Sequence, residues 1–112
     1  YFYAPEDFTE IAPQFGTSPV SLRQLGNASS HTLQLLDETY PPGADTGPEF
    51  LSHAGEEAGI IMEGEIEITV EDQVQVLGVG EGYLFDSRKP HRFRNTGQSI
   101  CRIVSACTPP TF

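Results

Sequence analysis

Glu65-Ile66-Glu67-Ile68-Thr69-Val70 alternates without a break, with Ile66, Ile68 and Val70 on one side and Glu65, Glu67 and Thr69 on the other. Side chains on a strand point to opposite faces in turn, so these six residues read as a strand with one buried and one solvated face. Glu71-Asp72-Gln73 reverses the chain, and Val74–Leu77 returns as the second arm of a hairpin.

Outward from this hairpin the same punctuation recurs. Ala58–Met62 is a short apolar run that Gly64 breaks. Gly78, Gly80 and Gly82 at alternate positions predict a tight crossing where side chains would obstruct. Tyr83–Asp86, His91–Asn95 and Ile100–Thr108 read as strands, separated by the turns Ser87-Arg88-Lys89-Pro90 and Thr96-Gly97. Upstream, Val20–Leu25 and His31–Tyr40 read as strands, the second with Leu33 and Leu35 on one face. Pro41 to Pro48 is a long turn-rich loop, and Glu49–His53 is extended again. Residues 1–19 mix aromatics with prolines and read as an arm or linker, leaving 20–112 as the folded domain. Nine or ten short strands and no long amphipathic helix predict an all-β sandwich or barrel.

Composition agrees with that class. The 112 residues suffice for a single modest core, and 11 Gly with 9 Pro signal many turns. Sixteen acids against six bases leave a formal charge of −10. A phosphate backbone repels such a surface, so direct nucleic-acid contact by this chain is disfavoured, as is anionic lipid. No apolar run approaches the roughly 20 residues of a membrane-spanning helix. Cys101 and Cys107, if on one strand, lie about 20 Å apart and cannot pair. Free buried thiols fit a reducing compartment, which predicts the cytoplasm. The chain does not begin with Met and reads as a piece of a longer protein or a processed one.

The three histidines are His31, His53 and His91. His31 has no carboxylate partner in sequence and reads as a surface residue. His53 and Glu57 stand four apart around a glycine bend, and His91 precedes Phe93 and Asn95. Two imidazoles and a carboxylate from different strands can hold a divalent metal and leave positions open. The same three can equally be polar groups at a barrel mouth. Arg88, Lys89, Arg92 and Arg94 gather four of the six bases in seven residues. By alternation Arg92 and Arg94 face away from His91 and Phe93, so the cluster reads as ion pairs or a solvated turn rather than an anion site in the cavity.

His53-x3-Glu57-x6-Gly64, then Gly82-x8-His91-x3-Asn95, resembles the two motifs of the cupin superfamily. The resemblance implies an all-β jelly-roll, the double-stranded β-helix barrel, with any metal held by His53, Glu57 and His91. One usual ligand is missing, because Leu51 stands where metal-binding members carry a first histidine. Zn, Ni, Mn or Fe would suit the remaining three. Phe85-Asp86-Ser87, Pro90-His91-Arg92-Phe93-Arg94-Asn95 and the ending Cys107-Thr108-Pro109-Pro110-Thr111-Phe112 are similar to the C-terminal cupin domains of bacterial transcriptional regulators, and Phe50-Leu51-Ser52-His53-Ala54-Gly55-Glu56-Glu57-Ala58-Gly59 with Ile100-Cys101-Arg102-Ile103-Val104-Ser105-Ala106 resembles in particular the putrescine-utilisation repressors. That likeness implies a homodimeric domain that binds a small-molecule effector, with DNA contacted by a separate N-terminal helix-turn-helix.

A polyamine would need carboxylates near its ammonium ends and an apolar or aromatic middle. Glu57 is the interior acid, His53 and His91 are polar anchors, and Phe93, Phe85, Tyr83 and Tyr40 are candidate aromatic walls. The alternative is a stand-alone metal-dependent enzyme, an oxygenase or isomerase. Leu51, and the lack of an evident second acid or base beside the triad, count against it.

Overall fold

The computed structural model describes residues 1–11, 19–46 and 51–111. The second half of the predicted arm, the Gly47-Pro48 end of the long loop and the start of the Glu49–His53 stretch lie outside the described residues. Among the described residues there are nine strands: β1 (Thr9–Ile11), β2 (Ser21–Gln24), β3 (Gln34–Tyr40), β4 (Glu56–Glu63), β5 (Glu65–Val70), β6 (Gln73–Gly78), β7 (Gly82–Asp86), β8 (His91–Arg94) and β9 (Cys101–Thr108). They form a six-stranded sheet in the order β1-β2-β3-β9-β4-β7 and a three-stranded sheet, β6-β5-β8. Every pairing is antiparallel, and the two inner faces enclose the core as a jelly-roll.

The β5–β6 hairpin forms where the alternation puts it. Val70 pairs Gln73, and Glu71 takes the left-handed backbone (φ 55°) that the two-residue turn demands. Ile66 and Ile68 are buried with Tyr40, Ile61, Phe93 and Ile103 in one cluster. Gly64 turns β4 into β5 at φ +73°, where a Cβ would collide with the Ile100 carbonyl. That bend carries the chain from one sheet to the other.

Two expectations are corrected. The inward face of β3 is Gln34, Leu36, Glu38 and Tyr40, not the Leu33–Leu35 parity, and Leu33 is exposed. The Leu35-Leu36 doublet satisfies either parity, and pairing with β9 selects the one that gives Gln34 and Glu38 hydrogen-bonding partners. The Gly78–Gly82 series is not a uniform tight crossing. A Cβ at Gly82 would meet the Gly59 carbonyl at 2.8 Å, whereas Gly80 has open space around it and Gly78 ordinary room. Finally, the expectation of an arm gains detail over residues 1–11, which add a strand to the large sheet. A 3-10 turn at Pro5–Asp7 precedes β1, which pairs β2 and extends the large sheet.

Part of the outer face of that sheet, over β9, β4 and β7, is apolar. Leu35, Ala106, Ala58 and Leu84 lie in one cross-strand row over β3, β9, β4 and β7, with Ile60 and Val104 paired beside it. Leu84, Ile60 and Val104 are exposed there.

Candidate metal and effector site

Three segments deliver the predicted triad. Leu51 exchanges both backbone hydrogen bonds with His91, and the His53 amide donates to the Ser87 carbonyl, so the stretch before β4 is laced to the start of β8. Gly55, at φ +120°, packs against the Thr108 carbonyl where a side chain would not fit. The bend aims His53 and Glu57 into the barrel together. His91 opens β8 and is buried on the same face as Phe93, as alternation requires.

The donor atoms converge. His53 Nε2 lies 3.4 Å and His91 Nε2 3.0 Å from the same oxygen, Glu57 Oε1. All three donor atoms fall within 4.8 Å of one another. For bonds of about 2.0–2.1 Å, two ligands stand about 2.9 Å apart at a right angle and about 3.4 Å apart at a tetrahedral angle. The spacing therefore fits a divalent ion. His91 Nδ1 lies 2.7 Å from the Lys89 carbonyl, and His53 Nδ1 lies 3.0 Å from Thr111 Oγ1. These second contacts orient both rings with Nε2 toward the centre.

Electrostatics separate the two imidazoles. Burial pushes both down, but His91 ends above its ordinary value because Glu57 and the Lys89 carbonyl hold its protonated form. His53 ends below, since burial outweighs the Glu57 attraction and His91 repels it further.

Sequence reasoning missed Glu38. It projects inward from β3, is buried, and lines the same cavity as Glu57 and His91. Burial lifts its carboxyl from 4.5 to about 7, against hydrogen bonds from Ser105 and Tyr40 that lower it. Tyr40 donates to one carboxylate oxygen at 3.0 Å, and Ser105 donates to the other through a very short contact. The only signal available in sequence was the acid pair Asp37-Glu38, one of which must face inward in a strand whose parity the leucine doublet left open.

Of the four predicted aromatic walls, Tyr40 and Phe93 border this cavity, while Tyr83 and Phe85 pack against its lining and face the seam between β6 and β7. Phe85 stands 4.9 Å from His91 between ring centres, and Tyr83 5.1 Å from Phe93. Tyr40 stacks on Phe93 at 6.4 Å. The cavity between them is small, about 20 Å³, bordered by Glu38, Thr46, Leu51, Glu57, His91 and Ser105. That is room for about one water.

The basic cluster points outward, as alternation predicts. Arg92 pairs Asp45 at 3.2 Å, Arg94 pairs Glu67 at 3.1 Å and Arg88 pairs Asp86 at 2.7 Å. His31 is exposed and bonded to its own turn at Asn27. Cys101 and Cys107 share β9, both buried and free.

Over 100 residues the chain is 43% identical to the HTH-type transcriptional regulator PuuR of Escherichia coli (strain K12). The match takes in 88% of this chain and 54% of that relative, so the chain spans about half the relative's length. Among solved structures it superposes on the cupin domain of an XRE-family transcriptional regulator from Enterobacter cloacae with a TM-score of 0.71 and 21% identity, covering 82% of this chain and 98% of that one. A predicted oxalate decarboxylase from Thermotoga maritima gives a TM-score of 0.79 at 19% identity, covering 96% and 98%. Likeness at this identity is likeness of fold, and the fold serves regulators and enzymes alike. Residues 36–107, which carry the triad and nearly all of β3 to β9, match the cupin domain family, and the chain belongs to it.

Proposed function

We propose that the chain is the effector-binding and dimer-forming domain of a cytoplasmic bacterial transcriptional regulator. DNA would be contacted by a separate helix-turn-helix domain. The relationship to PuuR supports this reading, and the formal charge of −10 agrees with a domain that does not itself touch DNA. The carrying observation is the convergence of His53, Glu57 and His91 on one point inside the barrel. There they would anchor the polar end of an effector, directly or through a divalent transition metal such as Zn, Ni, Mn or Fe. The interior is too small for a whole organic molecule, so the residue set Tyr40, Tyr83, Phe85 and Phe93 would meet only part of the effector there. A polyamine suits the acids and aromatic rings together.

The half-buried row Leu35, Ala106 and Ala58, with exposed Leu84 at its end, would supply the dimer face, since contiguous apolar surface of this kind is costly to leave in water. The test is an operator-binding assay on the regulator that contains this domain, with putrescine at millimolar concentration as the effector and with and without chelator. The expected result is a change in operator affinity that Glu57→Gln removes. An unchanged affinity in every arm would overturn the polyamine-sensing reading.

One observation favours a second reading, a metal-dependent enzyme. Glu38 supplies the buried acid beside the triad that was absent from the sequence reading, with a carboxyl raised to about 7. A group that titrates near neutrality can donate or accept a proton.

A further inference from the structure

Two of the sheet-ending strands lie side by side: among the described residues, β6 pairs only with β5, and β7 only with β4. Between these open edges lies a cleft of about 630 Å³. That is within the roughly 300–1,000 Å³ of small-molecule sites, whereas the cavity at the triad holds about one water.

The cleft is a gap in the barrel wall. Gln73 and Gln75 pair Val70 and Ile68 across the hairpin, which puts them on the inward face of β6 with Leu77. Leu77 is buried, yet Gln73 and Gln75 are exposed, and no strand among the described residues covers them. Inward positions of a barrel are ordinarily apolar. Two carboxamides there, both lining the cleft, offer hydrogen bonds to something other than the fold.

The opposite wall is aromatic. Tyr83 and Phe85 line the cleft from β7, with ring centres 5.7 Å apart. Phe85 also stands 4.9 Å from the ring of His91, so one side chain separates the cleft from the triad. The Tyr83 hydroxyl is buried and has no hydrogen-bond partner among the described residues. Glu71 and Lys89, on the turns at one end of these strands, face each other at 3.5 Å with about half of each side chain exposed.

We propose that this cleft binds the body of an elongated organic cation, an aliphatic amine whose spine lies on Tyr83 and Phe85 and whose ammonium groups are taken by Glu71 and the carboxamides of Gln73 and Gln75. The inference rests on the effector-binding reading and moves most of the effector from the barrel interior to the seam. A cation is favoured over an anion because ring faces attract positive charge and the whole chain carries −10. The exposed Glu71–Lys89 pair is worth little, so an incoming ammonium can displace it.

The test titrates the 112-residue chain with 1,4-diaminobutane and with succinate, an anion of the same length, by calorimetry. The variants are Gln75→Trp, Glu71→Gln and Glu57→Gln. Gln75 is exposed, so Trp there fills the cleft without disturbing the core. In a chain with no other Trp it also reports occupancy by fluorescence. The expected result is that the diamine binds, succinate does not, and both Gln75→Trp and Glu71→Gln weaken the diamine at least tenfold with the melting temperature unchanged.

Diamine binding abolished by Glu57→Gln but untouched by Gln75→Trp and Glu71→Gln overturns the cleft and leaves the sensing role of the triad standing. Succinate binding in place of the diamine overturns the cationic class. Binding of neither also overturns the proposal, while the operator assay judges the regulator reading separately.

Discussion

Glu57 Oε1 stands 3.0 Å from His91 Nε2, closer than the 3.4 Å that separates it from His53 Nε2. One carboxylate oxygen on β4 thus faces imidazoles from two other segments, each ring turned by a second contact on its far nitrogen. The sequence separation between His53 and His91 is closed by the backbone bonds that tie Leu51 to His91 and His53 to Ser87.

His91→Gln removes an imidazole donor while keeping a polar side chain of similar reach. Zinc titration of this variant, followed by a metal-sensitive dye, is expected to show affinity at least roughly 10–100-fold weaker than the parent, the loss that follows even from removing a supporting contact. Leu51→His, which adds an imidazole to the wall of the same cavity, is expected to tighten it. Equal zinc affinity in parent and His91→Gln would remove His91 from the ligand set.

Glu38 makes stability depend on pH in the direction opposite to an ordinary salt-bridged acid. Its carboxyl titrates at 4.5 in the unfolded chain and about 7 when folded, so between those values the folded state binds the extra proton. The stabilisation is complete below pH 4.5 and is lost as pH rises through 7, amounting to about 3 kcal/mol. His91, also raised, acts in the same direction, and His53, lowered, opposes it. Glu38→Gln isolates the carboxyl. Urea melts from pH 5 to pH 8 should show a markedly flatter pH dependence in the variant, and parallel curves would show that Glu38 does not carry the proton.

Asn95 belongs to the second motif but works as a structural clasp. Its side-chain nitrogen donates to the Tyr40 carbonyl at 2.8 Å and the Ser99 carbonyl at 2.9 Å, and its oxygen accepts from the Gly97 amide at 2.9 Å. Asn95→Asp turns a buried donor of two bonds into an acceptor facing two carbonyls. The expected cost is about 3 kcal/mol in a denaturant melt, with zinc affinity of the folded fraction unchanged. A loss of zinc binding without loss of stability would place Asn95 in the site instead.

The apolar row on the large sheet predicts a dimer that one charge breaks. Leu84→Asp puts a carboxylate at the β7 end of that face, where Leu84 is 71% exposed in the single chain. Light scattering on a sizing column is expected to give twice the chain mass for the parent and the chain mass for Leu84→Asp, with the melting curve of the isolated domain little changed. Identical masses for both proteins would remove this face from the interface.

Most of the strands and the candidate His53–Glu57 pair were legible in the residues because both are written locally. The alternation of Glu65–Val70, the glycines at 55 and 64, and the spacing of His53 to Glu57 are each properties of a few neighbours. The parity of β3 was not local. Leu35 and Leu36 satisfy either face, and only pairing with β9, which sets Ser105 beside Glu38, decided that a carboxyl would be carried into the core. The open seam was likewise beyond the sequence. Gln73 belongs to the predicted turn and Gln75 to the returning strand with no face assigned, and it took the register against Val70 and Ile68 to show both facing inward over a gap. Periodicity tells a strand which residues share a face, but which face is inside, and whether anything covers it, is fixed by partners far away in the chain.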